Sequence, residues 1–140
     1  MTRRFLLRPE ANRFDKLRNS THDETTMSDD CIFCKISRKE IPAKHIYDDA
    51  EIFAFEDIHP QAPTHLLISP RKHLVSLNDA EDGDAGMLGK ILLVAKQLAS
   101  EYGLSSGYRI VINNGAEAGQ SVDHLHVHVL GGRAMRWPPG

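Results

Sequence analysis

The chain has 140 residues, 41% hydrophobic and 26% charged, with a formal net charge of −2. This is the balance of one globular domain with enough length to bury a core, and it lacks the global basic field that holds nucleic-acid backbones. No apolar run approaches the roughly 20 residues of a membrane span, and Phe5-Leu6-Leu7 is cut off by Arg8 and Pro9 before it can form a signal-peptide core, so neither a nucleic-acid nor a membrane partner is expected and the expected compartment is the cytoplasm.

Residues 1–28 differ in texture from the rest. Arg3, Arg4, Arg8, Arg13, Lys16 and Arg18 alternate with Glu10, Asp15, Asp23 and Glu24, and this segment is read as a flexible extension before a domain over 29–140. Organellar targeting is the weaker alternative, because transit peptides are poor in acids. Met27 offers an alternative start. Within the domain, Ile32, Phe33 and Ile36 fall at helical spacing in a short segment that must stop before Pro42. His45–Asp49 and Glu51–Glu56 read as a hairpin, and Thr64–Ser69 as an apolar strand after a proline-bounded loop. From Asp79 to Tyr102 an apolar stripe of Met87, Leu88, Ile91, Leu92, Ala95, Leu98 and Tyr102 predicts the one long helix. Asn78 or Asp79 would cap its start, and Gly103 stands where a C-terminal glycine is expected. Tyr108–Asn113 and His124–Leu130 are the last strands. Five strands with one long and one short helix describe an α+β domain with a mostly antiparallel sheet.

The chemistry concentrates in the last strand, His124-Leu125-His126-Val127-His128-Val129-Leu130. Alternation puts His124, His126 and His128 on one face and Leu125, Val127 and Val129 on the other. A single strand histidine is usually a hydrogen-bonded structural residue. Three at period two would repel if protonated together, and each needs partners if neutral, which points to a metal site or to nucleophilic or acid–base catalysis. One small tetrahedral ion is an awkward fit, because same-face side chains on a strand stand about 7 Å apart. The preceding loop, Gly119-Gln120-Ser121-Val122-Asp123, offers backbone N–H groups, an amide and a hydroxyl to an anion such as phosphate, and a neutral imidazole facing it can attack phosphorus. The middle histidine is best placed. Cys31 and Cys34 have the C-x-x-C spacing of a redox pair, half a zinc site or neither.

The His-x-His-x-His pattern of residues 124–130 resembles the signature of the histidine triad (HIT) family. The resemblance extends through Cys31-Ile-Phe-Cys-Lys-Ile36, Lys39-Glu-Ile-Pro-Ala43, Phe55-Glu-Asp-Ile58, Pro60-Gln-Ala-Pro-Thr-His65, Gly119-Gln-Ser121, Leu130-Gly-Gly-Arg133 and Trp137-Pro-Pro-Gly140, pieces similar to the Hint branch of purine nucleoside phosphoramidases. It covers about Asp30 to Gly140. It implies that His126 is the nucleophile, with His124 and His128 beside it, Ser121 near the leaving amine, and Asn113, Gly119 and Gln120 around the phosphate.

By the same resemblance Asp57 would hold the ribose diol, and Ile32, Phe33, Ile36 and Ile58 an apolar slot for a purine. On their own, these apolar residues read as ordinary core and Asp57 as a loop cap. Catalysis would need no metal, while a structural zinc would be held by Cys31, Cys34, His73 and His124. Two subunits would join their sheets into ten strands, and Trp137 would be an interface or specificity residue unless it folds back on its own subunit. The implied activity is hydrolysis of the P–N bond of purine nucleoside phosphoramidates or aminoacyl-adenylates. Alternatives are a dinucleoside polyphosphate hydrolase or nucleotidyltransferase, and a nucleotide-binding scaffold with vestigial activity.

Overall fold

In a computed structural model that describes residues 30–140, alternation along five strands builds a sheet with two differently used faces. The strands are β1 (His45–Asp48), β2 (Ile52–Glu56), β3 (Thr64–Pro70), β4 (Tyr108–Val111) and β5 (Val127–Gly131). They lie in the order β1-β2-β3-β5-β4, each neighbouring pair antiparallel. The extension expected over residues 1–28 lies outside the described residues.

Side chains of one parity, Ile52, Ala54, Leu66, Ile68, Val127 and Val129, pack against Ile91, Val94, Ala95, Leu98 and Ala99 of the long helix α2 (Ala85–Glu101). Those of the other parity, Phe53, Phe55 and Leu67, pack against Phe33 and Ile36 of the short helix α1 (Ile32–Ser37). Because successive strand side chains point to opposite faces, His128, the residue between Val127 and Val129 on β5, necessarily faces α1. The histidine face and the α1 face are therefore the same.

The long helix ends as its sequence suggests. Gly103 takes a left-handed φ of 71°, its N–H bonds Ser100 O at 3.0 Å, and the N–H of Leu104 bonds Ala99 O at 2.9 Å, a Schellman pairing that satisfies two terminal carbonyls. Its start differs from expectation. Residues Leu77–Asp79 and Asp82–Asp84 form separate 3-10 turns, and the α-helix begins only at Ala85. Polar side chains take the backbone N–H groups here: Ser76 Oγ accepts from Asn78, and Asp84 Oδ2 accepts from Glu81 at 2.9 Å. Such local bonds compete with helix continuation. Leu92, expected on the buried stripe, is 48% exposed, and Val94 and Ala99 occupy the buried face instead.

The histidine strand also starts later than expected. The ladder begins at Val127, so His124, Leu125 and His126 lie ahead of it. That lead-in is held by bonds outside any ladder: Leu125 N–H to Leu74 O at 2.6 Å, and Ser69 Oγ–H to Leu125 O at 2.8 Å.

Candidate active site

His126 is 5% exposed, and its ring has a fixed partner. Nδ1 lies 2.6 Å from the carbonyl oxygen of His124. A carbonyl can only accept, so in the neutral ring Nδ1 carries the proton and Nε2 the lone pair. The Phe33 ring stands edge-on to His126 with centroids 5.0 Å apart, and His128 follows at 4.9 Å.

His128 is oriented by a chain that begins on the loop before β3. The backbone N–H of Gln61 donates to His65 Nδ1 at 3.0 Å, so the proton of neutral His65 sits on Nε2. That Nε2 is 2.8 Å from His128 Nδ1, which must accept, and the proton of His128 is thereby placed on Nε2. Asp57 Oδ2 stands 3.4 Å from the same His65 nitrogen, and Asp57 Oδ1 accepts the N–H of His59 at 2.8 Å. Burial pushes His128 down to about 4, with His126 and His65 adding to the effect and Asp57 opposing it. His65 is lowered too, by burial against an opposing Asp57. The relay is therefore neutral at pH 7.

His65 escaped the sequence reading as a functional residue. The register supplies the missing signal: Leu67 pairs directly with His128, and His65 with Leu130, so His65 is the same-face diagonal neighbour of His128.

His124 is fully buried and looks away from His126. Its Nε2–H donates to Pro70 O at 2.7 Å, leaving Nδ1 as the acceptor 3.3 Å from Cys31 Sγ and 3.5 Å from Cys34 Sγ. Cys34 Sγ is also 3.3 Å from His73 Nδ1. Burial, followed by the neighbouring His73 and His126, lowers His124 to about 4 despite the Pro70 bond. Of the two places expected for His124, beside His126 and among the ligands of a zinc site, its ring takes the second: both ring nitrogens are engaged with Pro70 O and the cysteines, and its carbonyl reaches the His126 ring.

Among the described residues, two groups bring candidate metal ligands within 4.8 Å of one another: Cys31, Cys34, His73 and His124, and Asp57, His65 and His128. Zinc–sulfur and zinc–nitrogen bonds of about 2.3 and 2.0 Å at a tetrahedral angle place the two donors roughly 3.5 Å apart, close to the sulfur–nitrogen distances of the first group. There the His124 lone pair faces the cysteines while its other nitrogen is fixed by a carbonyl, as metal-bound imidazoles commonly are. The second group does not fit: the His65 nitrogen bears a proton, and 2.8 Å is a hydrogen bond. It is a relay.

The remaining predicted residues separate. Phe33 and Ile36 are core, and Phe33 also packs on the His126 ring, whereas Ile32 and Ile58 are 46% and 84% exposed. Asn113 is half-buried, and Ser121 is exposed three residues before His124. Gly119 has the left-handed φ of 86°, and its N–H and that of Gln120 turn back to Ala116 O and Gly115 O. The Gln120 amide accepts from Gly115 N–H and donates to Val75 O and Val122 O. An anion cradle at this loop therefore cannot use these two N–H groups, and Gln120 acts as a brace between loops. Trp137 is 84% exposed and is not folded back on its own subunit.

Residues 38–135 match the HIT domain family. The chain is a member of the HIT family. It is 52% identical over 114 residues to an uncharacterised HIT-like protein of Synechocystis, covering 81% of this chain and all of that one. Among solved structures, a HIT family hydrolase from Legionella pneumophila is 54% identical with a TM-score of 0.77, covering 79% of this chain and 99% of its own. A histidine triad nucleotide-binding protein from Candida albicans is 36% identical with a TM-score of 0.67, covering 77% of this chain and 82% of its own. The HIT fold accounts for the five-stranded sheet and its long helix.

The neutral His128 sets a direction for the acid response. An unfolded imidazole binds its proton near pH 6.5, whereas folded His128 does so only near 4, so stability falls as pH drops below 6.5 and this contribution levels off below about 4. Denaturant unfolding at several pH values is expected to show a shallower decline across that window in His128→Gln than in the wild type; equal slopes would count against it.

Proposed function

We propose that this HIT protein hydrolyses the P–N bond of purine nucleoside phosphoramidates, with aminoacyl-adenylates as a related substrate class. The observation that carries the reading is the His126 Nδ1–H bond to His124 O, which reserves Nε2 for attack on the α-phosphorus. In the first step the His126 Nε2–P bond forms as the P–N bond breaks, and the departing amine takes a proton from the Ser121 hydroxyl, which recovers one from the water that attacks in the second step. The positive charge arising on the His126 ring is steadied through Nδ1–H. Water then cleaves the nucleotidyl-histidine and releases the nucleotide. The His128 Nε2–H, set by the Gln61–His65 relay, is available to a phosphoryl oxygen, and Asp57 to the ribose hydroxyls, beside the exposed Ile58 and Ile32. The hydrolase and nucleotide-binding descriptions of the Legionella and Candida relatives support this reading. Incubation with adenosine phosphoramidate and rapid acid-free quenching is expected to yield a nucleotidyl adduct mapping to His126, while His126→Ala loses turnover by roughly 10³-fold or more. Wild-type turnover in that variant would sink the reading.

The cysteine–histidine cluster is read as a structural zinc site. With four protein ligands the ion has no open position and supplies no activated water; it staples α1 to the histidine lead-in. Elemental analysis of tag-free protein should give close to one zinc per subunit, and chelation should lower the melting temperature. A stoichiometry far below one would refute the assignment.

The protein is further read as a homodimer through β4. This strand is the sheet edge next to β5, its outer side unpaired among the described residues, and Leu92, Leu93 and Tyr108 are exposed hydrophobics. Sedimentation should show twice the mass of the chain for the wild type and a shift towards the monomer for Leu93→Glu; a wild-type monomer at micromolar concentration would exclude it.

A further inference from the structure

Three facts about the α1 region combine. Cys31 is partly exposed and Cys34 buried, and neither is joined in a disulfide. Their sulfurs, with His73 Nδ1 and His124 Nδ1, lie within 4.8 Å of one another. Finally, the residue those sulfurs hold, His124, supplies the carbonyl that holds the His126 ring.

We propose that Cys31 and Cys34 are an oxidation site, a thiol pair whose conversion to a disulfide by a hydroperoxide releases the His124 side chain and slackens the hold on His126. The Cys31 sulfur, the accessible one, attacks a peroxide oxygen; a sulfenic acid forms and one water leaves. The Cys34 sulfur then attacks the sulfenic sulfur, the S–S bond forms, and a second water carries away the hydroxyl. Both sulfurs are oxidised by one electron each and the peroxide O–O bond is reduced, so two thiols and one hydrogen peroxide give one disulfide and two waters.

The consequence follows from the contacts. A disulfide draws the two sulfurs to about 2.0 Å, and disulfide sulfurs have neither a proton to donate to His124 Nδ1 nor the thiolate charge to hold a metal. Any ion shared by the four residues loses two of its ligands. The His124 ring then keeps only its bond to Pro70 O. Phe33, between the two cysteines, packs on both the His124 and His126 rings, so movement of α1 also shifts the wall behind the nucleophile.

The hydrolytic readout of this proposal rests on the nucleotide reading above; the chemical and spectroscopic readouts do not. Reduced full-length protein, with the metal it carries when purified without a tag, is titrated with hydrogen peroxide. Peptide mapping is expected to show an intramolecular Cys31–Cys34 disulfide, and a metallochromic dye to register the release of any bound ion. The ring ¹⁵N resonances of His126 in ligand-free protein are expected to move. Phosphoramidate turnover should fall about 10- to 100-fold, the range of losses seen when groups supporting a site are removed, and dithiothreitol with zinc should restore it. Cys31→Ser, compared with its own untreated rate, should resist peroxide; if that variant does not fold, the reversible wild-type response decides. Thiols that stay titratable after peroxide overturn the proposal, as does a disulfide that leaves both the His126 resonances and turnover unchanged. A disulfide that moves His126 in a protein with no phosphoramidase activity upholds the oxidation site and removes the nucleotide reading instead.

Discussion

The bond from His126 Nδ1 to the carbonyl of His124 is the constraint on which the arrangement of this site depends. It is a contact between residues two apart in sequence, and by itself it would be weak: a net hydrogen bond contributes about 1 kcal/mol. It holds because residue 124 cannot move. The imidazole is fully buried, with one nitrogen on Pro70 and the other on the cysteines, and the next residue is tied through both its backbone groups to Leu74 and Ser69. Side-chain immobilisation is thereby passed to a main-chain oxygen, and from it to a tautomer.

The same logic runs through His128 from the other side. A backbone N–H at Gln61 sets the proton on His65, and His65 sets it on His128. Each imidazole in the pair is buried enough to stay neutral, and each has a partner that accepts or donates as the other requires. Burying unpaired polar groups costs a few kcal/mol apiece, so a face with this many ring nitrogens is tolerable only when its donors and acceptors match. The opposite face of the sheet is built from Ile, Leu, Val and Ala against α2, while the α1 face joins its own apolar cluster of Phe33, Ile36, Phe53, Phe55 and Leu67 to the histidine contacts.

The two potential metal groups show why proximity alone does not define a site. Both gather ligand atoms within the same radius. They differ in where the protons are: His124 presents a lone pair to sulfur, whereas His65 presents a proton to His128. Hydrogen-bond partners on the far side of each ring make that distinction, Pro70 O in one case and Gln61 N–H in the other.

Alternation, apolar runs and glycine placement were enough to read five strands, a short and a long helix, the left-handed Gly103, and a histidine face opposite Val127 and Val129. These are local properties, set by backbone geometry and side-chain parity within a few residues. The family resemblance, carried by short contiguous motifs, was legible for the same reason. What the sequence did not show was non-local. The start of α2 depended on which side chains won the N–H groups between Ser76 and Asp84. His65 joined the site through strand register, which no single strand encodes. Gln120 proved a brace because its amide reached Val75. The direction of the His124 ring, away from its neighbours in the triad and towards cysteines some ninety residues earlier, was decided only when the chain folded, because a hydrogen bond or a ligand set between distant residues exists only in the tertiary structure.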